Sequence, residues 1–134
     1  MTEKGLAAWI KEKMTVDEMA IIEMNKEIIA KLVGITKEGK VLLIVDKSKL
    51  KGQQIVTLYL VGKMMSKIAG YTDSASARLA EIVDNMGVPM GTVGRCLREL
   101  ENAGIARKSD EGGYEIVLSS LASFLNNVRG VVSG

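Results

Sequence analysis

One stretch constrains this chain more than any other: NMGVPMGTVGRCLRELENAGI, residues 85–105. Just before and into it, Leu79, Ile82, Val83 and Met86 recur at three- and four-residue steps, the inward stripe of a helix. Gly87 follows at the point where the backbone must turn left-handed, a conformation only glycine adopts without strain. Val88 plugs the corner, and Pro89 suits the first turn of a new helix. Val93, Cys96, Leu97 and Leu100 then mark the inner side of that second helix, which Ala103-Gly104-Ile105 ends. The spacing of core residues therefore predicts a helix-turn-helix.

The segments on either side extend the pattern. Downstream, Ile105 to Lys108, a turn at Ser109-Asp110-Glu111-Gly112-Gly113, and Tyr114 to Leu118 read as a β-hairpin. A last helix runs from Ser119 to Arg129, capped by Ser119 or Ser120 and striped by Leu121, Phe124, Leu125 and Val128. Upstream, Gln53 to Ala69 is an apolar helix ended by Gly70. The hydroxyl-rich loop Thr72 to Ser76 is placed to cap the helix after it. Val41 to Val45 is a β-branched and leucine run, behind a turn at Lys37-Glu38-Gly39-Lys40, that suggests a short hairpin or a single buried strand. Before that lie two helices. Leu6, Trp9, Ile10 and Met14 stripe the first. The second starts at a capping box, Thr15-Val16-Asp17-Glu18, carries the broad set Met19 to Val33, and has Gly34 to stop it. Such a set needs a cover, either the chain's own core or a partner.

Composition removes most catalytic classes. The 134 residues include no His and a single Cys, so zinc fingers, histidine catalysis and an internal disulfide framework are excluded. No phosphate-cradling glycine loop is present. The paired carboxylates Asp17-Glu18 and Asp110-Glu111 fall at a helix start and in a turn, where solvated charge explains them. We expect no enzyme, no cofactor and no metal. Apolar runs fall short of a membrane span, and the first residues lack the layout of a signal peptide, so a cytoplasmic protein is expected. Formal net charge is only +2, and residues 53–134 hold eight basic and eight acidic side chains. Any affinity for nucleic acid must come from local placement of charge.

The run VPMGTVGRCLRELENAGIARKSDEGGYEI resembles the winged helix-turn-helix transcriptional regulators of bacteria and archaea, over about residues 53–118. No such resemblance extends to residues 1–40. The resemblance implies that the helix from about Pro89 to Asn102 is a recognition helix. Periodicity agrees on its outward face, which gathers Gly91, Thr92, Arg95, Arg98 and Asn102. Arginines there can fork onto guanine or phosphate oxygens. Arg107 and Lys108, at the base of the hairpin, are placed to grip phosphates as similar wings do. The tip departs from the family pattern, since Asp110 and Glu111 have the wrong sign for a groove probe. Gly91 and Gly94 cost about 1 kcal/mol each in helix propensity. They allow either close approach of the helix backbone to DNA or a contact with another helix. Cys96 is expected beneath the helix as a small hydrophobe.

The expected fold is α+β, mostly α: a winged helix over residues 41–118, a helical extension at 1–40 and a C-terminal helix and tail at 119–134. The expected function is sequence-specific binding of double-stranded DNA as a homodimeric regulator. The alternative is a winged-helix module for protein–protein interaction without DNA. The amphipathic N-terminal helices, and the C-terminal one, are candidates for dimerisation, and the N-terminal pair also for a protein partner.

Overall fold

Ten elements follow in chain order in a computed structural model that describes residues 2–15 and 17–133, of which 131–133 are described by backbone alone. They are α1 (Glu3–Lys13), α2 (Glu18–Leu32), β1 (Val33–Ile35), β2 (Val41–Leu43), α3 (Gly52–Ile68), α4 (Leu79–Met86), α5 (Met90–Asn102), β3 (Ala106–Lys108), β4 (Tyr114–Ile116) and α6 (Leu121–Ser133). Single 3-10 turns lie at Lys47–Lys49 and Leu118–Ser120. The fold is α+β and mostly helical, its described strands forming two small antiparallel hairpins, β1–β2 and β3–β4.

Helix α3 is the centre. Every residue from Ile55 to Gly62 is buried, so the helix is covered on all sides rather than along one stripe. It packs against α4 and α5 and against strands of both hairpins. Gly62 is required by that crowding: a Cβ there would collide with the side chain of Val41, so the glycine lets β2 lie directly on the helix. Thr57, buried among apolar neighbours, donates its hydroxyl to the Gln53 carbonyl at 2.7 Å and so carries no unpaired polar atom into the core.

Helices α2 and α6 pack against each other on the same core. Ile22, Ile29 and Leu32 are buried on α2, and Leu121, Phe124, Leu125 and Val128 on α6. Each such side chain contributes about 1.5–3 kcal/mol on leaving water. One contiguous core thus runs from Ile22 to Val128 and joins both hairpins to the central helices. Helix α1 stands apart, with no buried residue.

Several local expectations are corrected. The second helix is capped by Asp17, not Thr15: its carboxylate accepts from the backbone N–H of Met19 and Ala20, and Glu18 is already helical. Val16, the second residue of the expected capping box, lies outside the described residues. Gly34 does not stop that helix. The helix ends at Leu32, and Gly34 pairs with Leu42 inside β1, because the run at 41–43 offers a ladder that Val33–Ile35 completes. Val33 belongs to that strand rather than to the helix. The loop hydroxyls of Thr72 to Ser76 do not cap α4, whose N-cap is Arg78 without a side-chain bond. Strand β4 ends at Ile116, and Leu118 opens a 3-10 turn.

Candidate nucleic-acid interface

The corner between α4 and α5 is built by three residues. Gly87 has φ +67°, the left-handed geometry that its position demanded, and its N–H donates to the Val83 carbonyl. Val88 is buried, and Pro89 is the N-cap of α5. Below the corner, Lys47 donates its ammonium to the Met86 carbonyl at 2.5 Å, satisfying one of the carbonyls that a helix end leaves open. A polar cluster braces α4 against α3. Tyr59 donates its hydroxyl to Glu81 at 2.5 Å, Lys63 pairs with Glu81 at 3.1 Å, and Asn85 donates to the Tyr59 oxygen at 3.2 Å. Burial and the adjacent Glu81 carboxylate together hold the Tyr59 phenol well above its ordinary range.

Helix α5 is anchored as its spacing required. Val93, Cys96, Leu97 and Leu100 are all buried, and Cys96 is a free thiol under the helix. Gly91, Arg95, Arg98 and Asn102 lie on the opposite side and are exposed. Thr92 does not join them. It is half-buried on the flank, where its methyl group lies against Gly52 at the start of α3, so it belongs to the helix–helix contact. The two glycines also separate. A Cβ on Gly91 would meet nothing, whereas one on Gly94 would touch Leu79 at 3.4 Å. Gly94 therefore lies beside α4, where a methyl group would make only an ordinary contact, and Gly91 is open to the outside.

Charge on this side is partly spent. Arg95 pairs with Glu99 at 3.6 Å along the helix, and Arg107 pairs with Glu115 at 2.7 Å across the β3–β4 ladder, where the two residues are in register. Arg98 and Lys108 have no ion-pair partner among the described residues, and both are exposed. They border one groove of about 310 Å³ between α5, the start of α4 and the second hairpin, with Glu101, Asn102 and Tyr114 on its walls. The sequence placed the arginines correctly on the outer face but gave no weight to their carboxylates.

The turn of the second hairpin is folded back rather than projecting. Ser74 bonds the Glu111 carboxylate, and Arg78 donates to the Glu111 carbonyl at 3.2 Å. Ala77 pairs with Tyr114 through two backbone bonds of 2.8 Å, adding a third, single-residue strand to β3–β4. Arg78 and Ala77 were not singled out from the sequence, and Ser74 only among the loop hydroxyls expected to cap α4, because their partners lie more than thirty residues away and no periodicity connects them. No group of acidic, His or Cys side chains suited to a metal ion occurs among the described residues, and none of the described helices is long and apolar enough to cross a membrane. Comparison with protein-family models, with curated proteins and with solved structures found no match.

Proposed function

We propose that residues 41–118 act as a winged helix that binds double-stranded DNA, with α5 in the major groove, and that the chain works as a homodimeric, cytoplasmic regulator of transcription without enzymatic activity. The observation that carries this reading is the outward face of α5. Its Gly91, Arg95, Arg98 and Asn102 are exposed side by side, next to a groove that Arg98 shares with Lys108 of the hairpin. The rest of the arrangement supports it: a helix corner with a left-handed glycine, a following hairpin, and a short third strand at Ala77. Arg98 and Lys108 supply the primary cations, and Arg95 and Arg107 join when phosphates displace Glu99 and Glu115. Displacing the exposed Arg95–Glu99 pair costs at most about 1 kcal/mol, whereas Arg107 must leave a half-buried Glu115.

A second reading rests on those same carboxylates. With Arg95 and Arg107 already paired, and Glu111 held beside Arg78, the face is nearly neutral and suits a protein surface. Selection from a random double-stranded DNA pool at two salt concentrations separates the two. Enrichment of a palindromic site, lost in an Arg98→Ala, Lys108→Ala variant, is the expected result. Affinity should fall with salt at a slope of roughly −0.9 per phosphate neutralised. No retention even at low salt overturns the DNA reading.

A further inference from the structure

Helix α1 leaves its whole apolar stripe uncovered by the described residues of the chain. Leu6, Trp9, Ile10 and Met14 are each between 41 and 63% exposed, and no residue of the helix is buried. The face has a specific layout. Glu3, Leu6, Ile10 and Lys13 follow at steps of three, four and three, the spacing of a two-helix seam. Trp9 flanks that seam on one side and Met14 on the other. The seam is charged oppositely at its two ends and apolar between them.

We propose that α1 is a dimerisation helix that pairs antiparallel with α1 of a second copy of this chain. A two-fold axis level with Ala8 sets Leu6 against Ile10 and Glu3 against Lys13, and repeats both contacts by symmetry. Parallel pairing would set Glu3 against Glu3 and Lys13 against Lys13. The charge pattern therefore selects the second copy as occupant and fixes its direction. Among the described residues of one chain, Lys13 pairs with its neighbour Glu12 alone, at 3.7 Å and on an exposed surface, so the ammonium is available to a better-placed carboxylate. The seam of one short helix is smaller than the roughly 800 Å² per partner typical of a stable interface, so the dimer dissociates on dilution. The inference deepens the dimeric part of the proposed function and rests on it; DNA plays no part in its test.

The experiment is sedimentation equilibrium of the full chain from about 1 to 100 µM without DNA, with emission of Trp9, the only tryptophan, followed in parallel. The wild type should move from monomer toward dimer, with the Trp9 emission shifting to the blue. Glu3→Lys and Lys13→Glu should each weaken association about tenfold, as two exposed pairs turn from attractive to repulsive. Both substitutions also oppose the helix dipole, which weakens α1 by itself. An equimolar mixture of the two variants is therefore decisive: its cross-dimer has Lys against Glu at both ends and should associate more strongly than either variant alone, which a merely weakened helix cannot do. A wild type that stays monomeric overturns the proposal. So does a dimer untouched by Leu6→Glu with Ile10→Glu, or a mixture no stronger than its components. A chain that binds DNA as a monomer fails this proposal and the dimeric part of the proposed function but leaves the DNA reading standing; a dimer sensitive to these changes that ignores DNA fails only the DNA reading.

Discussion

Helices α1 and α5 have nearly the same length and the same kind of apolar spacing, yet one is bare and the other is locked down. In α5, Val93, Cys96, Leu97 and Leu100 are buried under the corner, beside α3 and the second hairpin. In α1, the equivalent Leu6, Trp9, Ile10 and Met14 face outward. Periodicity foretells that a helix has two sides; what covers the apolar side depends on residues far away in sequence. The difference is measurable. Leu97→Ala should cost about 3 kcal/mol of unfolding free energy, through lost burial and the cavity left behind. Leu6→Ala, measured in dilute protein, should change it by less than about 0.5 kcal/mol. Denaturant titration of both variants tests this, and a large loss from Leu6→Ala would mean that α1 packs on its own chain.

Helix α4 is held at its C-terminal end and along one face. Gly87 holds a left-handed backbone, and Gly87→Ala should cost about 1–2 kcal/mol, with Lys47 also close to the new methyl group. A thermal melt reads this directly. Tyr59 and its partners Glu81 and Asn85 fix the other face of that helix. Tyr59→Phe should lose about 1 kcal/mol, because Glu81 keeps Lys63 as a partner and is not left alone. The phenol is raised in the folded state, so the stability it provides is present below its ordinary value of about 10 and is lost as pH rises through the folded value. Wild type should weaken on alkaline titration above about pH 10, and Tyr59→Phe should weaken less steeply there.

Much of the fold around the corner was legible because it is local. Gly87, the stripe of α4 and the buried side of α5 follow from periods that neighbouring residues set. The first hairpin was only half legible. Leu32-Val33 continues a helical pattern, and Gly34 has the look of a helix stop; only the pairing with Val41–Leu43 makes Val33–Ile35 a strand. Long-range polar contacts escaped altogether, since nothing in the order of residues joins Ser74 or Arg78 to Glu111. At the candidate site, the outward position of Arg95, Arg98 and Asn102 was legible. Thr92 was misplaced because it stands at the margin of that face, where the proximity of Gly52 decides. The pairing of Arg107 with Glu115 required the hairpin register, which the turn alone does not supply.

The smallest effect asks why α5 carries a glycine that packs against nothing. Gly91 is the second residue of the helix, and a methyl group added there meets no atom within 4 Å. Gly91→Ala should therefore stabilise the protein by roughly 0.5 kcal/mol, less than the full helix-interior difference because the first turn is only partly ordered by hydrogen bonds. A residue that costs stability without easing any internal contact is either a tolerated weak spot or one kept for an approach from outside the chain. If α5 approaches a nucleic-acid backbone closely, the same methyl group stands in the way, and Gly91→Ala should be more stable but bind DNA more weakly. If the helix meets no such surface, it should be more stable with binding unaltered. Melting and DNA titration of this one variant thus separate a tolerated weak spot from a glycine kept for close approach.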